Sequence, residues 1–354
     1  MDKIEKFGLV RTWSESSGNG WKASRPIKEG EILMHELPLS FGIYSDRALE
    51  FCGICLKNIS NSATKNCCNS CTSFYFCNLC HEKHTAITEH IKICEIINET
   101  GRYKKNSETV FARFFLKLFR DPEIEEIGEN KIVGNLNIIF ELMQNEEGIE
   151  PLAMQEANFW SSKITKLSDN QEFQNNFSGI DKIKKLCEKQ GRSEEEKQKI
   201  LTQKIKEIFL KSMYNWHAIP DDSIDNDDIG YAIYPNTCFF NHSCSPNSAW
   251  LINRNQSAIF CATAIKDIRE GQEIFISYFG HDQNVPTSKR RDYLLEYYQF
   301  TCNCDRCTQV KDCYMCEGES KYFCSRCKKV KYCSAECQKK HWTTHKTECV
   351  PIKK

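Results

Sequence analysis

The chain has 354 residues, with 48 basic and 48 acidic side chains and 40% apolar content. That leaves room for two or three packed units with a real core, excludes a disordered or collagen-like chain, and argues against binding driven by a field of one sign. The outlier is cysteine, at 22 residues.

The opening stretch MDKIEKFGLVRTWSE carries charges where a signal peptide needs an apolar centre, and no apolar run approaches the roughly 18 residues of a membrane span. A soluble protein of the cytoplasm or nucleus is expected. In reducing surroundings dense cysteine points to metal rather than disulfides, provided the spacing fits. The first structural signal is Gly18-Asn19-Gly20, where glycines let backbone approach a ligand closely and Asn19 offers an amide. It is followed by the strand-like run EILMHEL.

Next comes a cysteine cluster with Cys52-x2-Cys55, Cys68-x2-Cys71, Cys77-x2-Cys80 and His90-x3-Cys94. Short spacings let one turn of backbone present two soft ligands to one ion, and four such pairs suffice for two closed tetrahedral sites. Cys67, His81 and His84 compete for places in this cluster.

From about 100 to 216 the character turns helical. Val110, Phe111, Phe114, Phe115, Leu118 and Phe119 form a broad apolar stripe. A second helix opens with the capping box Ser193 to Glu196 and carries Leu201, Ile205, Ile208 and Met213 at helical spacing. The mixed charges from 181 to 207 read as a solvated face. The acidic run DDSIDNDD, 221 to 228, reads as a loop able to contact a basic substrate peptide.

The catalytic signals follow. NHSCSPN, Asn241 to Asn247, comes after an apolar CFF run; then two strand-like segments, SAWLINRNQSAIFCAT with a turn near 254 to 256, and EIFISY, which ends at Tyr278. The run YYQFTCNCDRC supplies Phe300 and three cysteines, Cys302, Cys304 and Cys307, one short of a closed zinc site. A final cluster repeats the finger spacing as Cys313-x2-Cys316, Cys324-x2-Cys327, Cys333-x3-Cys337 and His345-x3-Cys349. The segment from Lys311 to Lys354 has 11 Lys or Arg against five acids, a surplus that small zinc modules often show without touching nucleic acid.

The last cluster, with YCSAEC and HWTTHKTEC, resembles the MYND zinc finger, and the first is a looser copy. The resemblance implies interleaved ligands: Cys313, Cys316, Cys333 and Cys337 on one zinc, Cys324, Cys327, His345 and Cys349 on the other. NHSCSPN, EGQEIFISY and the CxCxxC of Cys302 to Cys307 occur in the order of the SET domain's catalytic half, and ESSGNGWKASRPIKEGEILMHELPL matches its amino-terminal half. A SET domain split by a MYND-type finger resembles the SET and MYND domain lysine methyltransferases. The implied fold is α+β: a mostly-β SET domain split by a MYND-type finger and a helical insertion, then a post-SET zinc site and a carboxy-terminal MYND finger. The corresponding boundaries are 1–50, 51–95, 96–212, 213–300, 301–309 and 310–350.

The implied activity is S-adenosylmethionine-dependent methylation of a protein lysine, histone or not. Gly18, Asn19, Gly20, Asn241, His242, Tyr278 and Phe300 would bind the cofactor, the two consecutive polar residues through backbone and side chain. Tyr278 would be catalytic, its hydroxyl holding the incoming amine with the lone pair toward the methyl group, and Tyr298 rivals Phe300 as the aromatic wall. Cys244 would complete the zinc site of Cys302, Cys304 and Cys307. With 20 ligands, about five zinc ions are expected. Trp21 stands where the family usually has a smaller aliphatic residue or an arginine and would narrow the cofactor mouth, while Asn215 would lie near the site. A protein lysine substrate, short peptides at the MYND fingers, a monomeric state, no membrane and no direct nucleic-acid binding complete the expectation. The rival is a catalytically weak adaptor that binds peptides through its fingers.

Overall fold

The computed structural model describes residues 4–351 apart from 16, 63–64, 72, 83, 101–105, 121–130, 135, 143–148, 150, 189–191, 222–226, 254–256, 280–284, 286, 309–312, 317 and 319. The expected turn at 254–256 and most of the acidic run therefore lie outside the described residues. The chain divides into two compact units, one of Met1–Val10, Gly30–Phe239 and Trp250–Thr263, the other of Arg11–Glu29, Phe240–Ala249 and Ala264–Lys354. Among the described residues no helix is long and apolar enough to cross a membrane.

The first unit combines sheets with helices. Strand Ile32–Leu37 is the run EILMHEL, and it pairs antiparallel with Ile259–Ala264, Phe260 opposite Glu36 and Ala262 opposite Met34. A second sheet orders Ser40–Ile43, Asp228–Ile233 and His217–Pro220. Helix Asn106–Leu118 carries the expected stripe: Phe114, Phe115, Leu118 and Phe119 are fully buried, and Ser40 Oγ donates to the Phe114 carbonyl at 2.8 Å. The capped helix Glu194–Tyr214 forms with both halves of its capping box in place, and Phe209 stacks on Phe115 at 3.9 Å. A regular apolar stripe that finds a second stripe is what makes each helix stable, since isolated helices of these lengths are marginal.

Two buried charges organise this unit. The Glu36 carboxylate, fully buried, accepts from the Asn236 backbone and amide at 3.0 and 2.8 Å and from the Thr237 backbone and hydroxyl at 2.7 and 2.8 Å. Burial raises its pKa while these four donors pull it back. Arg47, also buried, pairs with Asp221, with Asp227 at 2.7 Å and with Glu50 at 3.0 Å. The acidic run expected to meet a basic peptide thus spends Asp221 and Asp227 on an internal ion pair. Asn215 ends helix Glu194–Tyr214, its amide donating to the Lys211 carbonyl at 2.8 Å.

The first cysteine module also lies here. Strands Asn66–Cys67 and Tyr75–Phe76 pair antiparallel, with helices Asn78–Glu82 and His84–Asn98 after them.

The second unit holds most of the hairpin of Leu9–Ser14 and Gly18–Ala23, from Arg11 onward, with the parallel pair Asn241–His242 and Phe275–Ile276 and helix Thr287–Tyr298. The expected strand EIFISY contracts to Phe275–Ile276, so Tyr278 lies beyond the strand end. The carboxy-terminal module pairs Tyr322–Phe323 with Lys331–Tyr332, and Ser334 caps helix Ala335–Glu348 by accepting the Cys337 N–H at 3.3 Å.

Candidate active site and metal centres

Gly18-Asn19-Gly20 is not a free turn. Gly18, at φ +68°, opens a strand that contains the other two residues. The strand runs beside 272–274, with the Ala23 N–H on the Gln272 carbonyl at 2.9 Å and the Ile274 N–H on the Trp21 carbonyl at 2.8 Å. Asn241 holds it there: its amide donates to the Asn19 carbonyl at 3.1 Å and to Glu273 Oε1 at 2.9 Å. A side chain at position 20 would displace this clasp, because a Cβ would fall 2.7 Å from Asn241 Nδ2 and 3.0 Å from Glu273 Oε1. Nothing lies within 4 Å of a Cβ at Gly18, so that side is open.

The Asn241 amide is therefore a clasp between two strands. Asn247 makes another, donating to the Glu273 carbonyl and accepting the Phe275 N–H, both at 2.8 Å. Trp21 is buried, with the Arg11 guanidinium 5.2 Å from its ring centroid, so its ring packs inward instead of narrowing a mouth at the surface.

His242 is likewise turned inward. Its Nδ1 accepts the Tyr278 N–H at 3.0 Å, which places the ring proton on Nε2, 3.2 Å from Cys244 Sγ. The side chain expected to contact the cofactor instead links Tyr278 to a cysteine quartet, leaving the backbone of His242 for a ligand.

Tyr278 is half-buried, and its hydroxyl donates to the Phe240 carbonyl at 2.9 Å. With the proton spent there, the oxygen keeps acceptor capacity for an amine N–H. Tyr298 packs at 4.7 Å from the Tyr278 ring, Phe300 edge-on at 6.5 Å. Both aromatics reach Tyr278 because Gln299, between them, adopts φ +59° as it leaves the helix. The rivals are thus neighbours in one wall, Tyr298 the nearer.

Among the described residues, five quartets each bring their four ligand atoms within 4.8 Å of one another: Cys52, Cys55, Cys77, Cys80; Cys68, Cys71, His90, Cys94; Cys244, Cys302, Cys304, Cys307; Cys313, Cys316, Cys333, Cys337; and Cys324, Cys327, His345, Cys349. Both finger modules are interleaved. Cys68 enters a quartet while its neighbour Cys67 lies in the strand, and His90 enters with Nε2 at 2.9 Å from Cys94 Sγ, its ring stacked on Phe74. His81 instead stacks on Phe76.

The donor chemistry suits zinc, because four Cys or Cys3His groups at this mutual distance describe a closed tetrahedral site. Hydrogen bonding from Cys55 holds the Cys52 thiol down to about 5 while Cys55 itself is pushed up, and Cys94 holds Cys71 down to about 2, so one thiolate of each quartet forms readily and the remaining protons would leave as the ion binds. Around the Cys244 quartet, fully buried Arg290 donates to Cys307 Sγ at 3.7 Å, and Arg306 to the Cys244 carbonyl at 3.4 Å. A zinc with four thiolates carries two negative charges, which Arg290 and the His242 N–H face.

Sequence reasoning singled out neither Glu273, Asn247, Phe240 nor Arg290. Glu273 sits inside the quoted EGQEIFISY, yet nothing in its spacing marks it as the hub of both asparagine clasps.

The MYND finger model matches residues 298–349. Histone-lysine N-methyltransferase SMYD3 of Homo sapiens is 25% identical over 323 residues, 90% of this chain and 64% of that protein. N-lysine methyltransferase SMYD2-B of Danio rerio is 26% identical over 309 residues, 85% of this chain and 60% of that protein. The chain thus spans slightly under two thirds of these relatives. A solved SET domain, that of LSMT bound to lysine and AdoHcy, aligns at 12% identity and TM-score 0.29 over 81% of this chain and 55% of that one. The SET domain model matches residues 18–279, most of the chain, and the chain belongs to the SET domain family.

Proposed function

We propose that the chain is an S-adenosylmethionine-dependent protein-lysine N-methyltransferase built on five structural zinc sites. The observation that carries the reading is convergence. Asn19 and Asn241, 222 residues apart, clasp each other in the unit that also holds Tyr278, with its hydroxyl oriented by the Phe240 carbonyl. The relatives' names state the same class of activity.

Bound S-adenosylmethionine would supply the electrophilic methyl group. The main chain at Gly18 to Gly20, with the open side of Gly18, and the backbone of Asn241 and His242 would hold it, while Phe300 and Tyr298 wall the aromatic side. Tyr278 would accept an N–H from the substrate amine and orient its lone pair; positioning accounts for most of the acceleration, so no covalent intermediate or triad is needed. The amine must arrive neutral, and desolvation in a narrow apolar channel would favour that by lowering the lysine pKa. Each zinc would be structural, since four protein ligands leave no open position. The substrate is a protein lysine, the fingers are available for short peptides, and the working form is a monomer of cytoplasm or nucleus.

The test is transfer of labelled methyl from S-adenosylmethionine onto whole-cell lysate by the fully metallated protein, beside Tyr278→Phe. Specific labelled bands that vanish with the variant are expected. No cofactor binding by isothermal titration would defeat the proposal.

A further inference from the structure

In the first unit a pocket of about 320 Å³ opens between the first cysteine module and helix Asn106–Leu118. Its wall includes Phe41, Phe74 and Tyr75 together with Ser73, Arg113 and Lys117, and no aspartate or glutamate is among the described residues that line it. That size suits a small ligand.

Arg113 is the unusual wall. It is 8% exposed, and its guanidinium lies 5.3 Å from the Phe74 ring centroid while Nη2 donates to Ser73 Oγ at 2.9 Å. Its Nε is buried with no hydrogen-bond partner. The neutral Ser73 hydroxyl is thus the hydrogen-bond partner of the guanidinium, and a carboxylate entering the pocket would give that guanidinium a charge-assisted bond. One helical turn on, Lys117 adds a second positive charge, 4.2 Å from the Phe41 centroid and 5.9 Å from that of Phe74.

Arg113 acts electrostatically on Cys71 and His90. Once zinc is held by three thiolates and an imidazole, the adjacent quartet of Cys68, Cys71, His90 and Cys94 would carry one negative charge beside the Arg113 cation. A planar oxyanion on an apolar body meets both needs: the anion pairs with the Arg113 fork, and the body lies against the phenylalanine rings.

We propose that this pocket binds a carboxylate carried on an aromatic or apolar body, with Arg113 and Lys117 as its anion-recognising residues. The carboxylate can come from a free small acid or from the terminus of a peptide ending in an apolar residue.

The test is isothermal titration of the zinc-loaded full chain with N-acetyl-phenylalanine, its neutral amide, a tripeptide ending in phenylalanine, and inorganic phosphate at matched ionic strength. Binding of the acid but not the amide is expected, weakened at least ~10-fold by Lys117→Met and by Arg113→Lys, which keeps the charge and loses the planar fork. The exposed pair member Lys28, as Lys28→Met, should leave binding unchanged. Tighter binding of the tripeptide than of the acid assigns the source to a peptide terminus, and equal binding to a small acid. Equal heats for acid and amide, a response to phosphate alone, or native-like affinity in both pocket variants would each overturn the proposal and leave Arg113 as a counter-charge to the thiolates. Zinc content of every variant is measured alongside, and Lys117→Met, on a half-buried side chain, keeps the test readable if Arg113→Lys misfolds.

Discussion

Replacing His242 by asparagine or by glutamine divides its two hydrogen bonds between two proteins. Asparagine places an oxygen near Nδ1, so the Tyr278 N–H keeps its acceptor while the donor to Cys244 is lost. Glutamine reaches the Nε2 position and keeps the donor to Cys244 while the Tyr278 N–H, 3.0 Å from Nδ1 in the native chain, loses its acceptor. Loss of an outer hydrogen bond to a metal ligand typically costs 10- to 100-fold in metal affinity, about 1.4–2.7 kcal/mol. An unpaired buried N–H costs about 1–3 kcal/mol, here as looser placement of Tyr278. The assay is zinc release to a chromophoric chelator, with Cys244→Ser identifying the phase that belongs to this quartet. His242→Asn should speed that phase at least tenfold, whereas His242→Gln should release zinc at nearly the native rate yet transfer methyl more slowly. Native-like release from His242→Asn, or equal release from both variants, would refute the linkage between tyrosine and metal.

Elemental analysis of the native chain should find zinc near five per chain and of Cys244→Ser near four; three or fewer in the native chain would break the assignment of the quartets. Arg47→Met should destabilise the first unit by about 3–5 kcal/mol in urea unfolding, because Asp221 would stay buried without its partner; a change under about 1 kcal/mol would mean that the pair is relaxed by solvent. Burial pushes His217 down from 6.5 to about 4, among Tyr234, Trp250 and Phe260, so the folded state keeps the ring neutral while the unfolded state charges. Its contribution is intact above about pH 6.5 and is lost as pH falls toward 4, about 1–2 kcal/mol between pH 7 and 5. His217→Gln should lack that part of the pH dependence, and parallel stability curves for the two proteins would exclude it.

The clustering of the ligands was legible because a closed metal site imposes spacing on the chain itself. Cys67 against Cys68 was not, since both stand close enough to Cys71; adjacent side chains at a strand end point to opposite faces, and that orientation selects Cys68. The helical stripe around Phe114 and the Ser193 cap were legible for a similar reason, as local periodicity and local capping need no knowledge of partners. His242 shows the opposite case. Its motif marked it as functional, yet whether the ring faces outward or toward Cys244 depends on a Tyr278 N–H 36 residues away. The pairing of Asp221 with Arg47, 174 residues apart, was hidden in the same way, and an acidic run read locally looks like a solvated loop.

The segments of the second unit enter the chain far apart, and this imposes an order on synthesis. A ribosome delivers Asn19 long before Asn241, and the quartet that needs Cys244 also waits for Cys302, Cys304 and Cys307. Most of the first unit, by contrast, lies in the continuous stretch Gly30–Phe239 and can begin to pack while the rest is still being made. The early hairpin must therefore remain uncommitted until the segment with Cys302 to Cys307 has been made, so a nascent chain stalled before residue 302 should carry folded helices and a loaded first finger yet have no methyl-transfer activity.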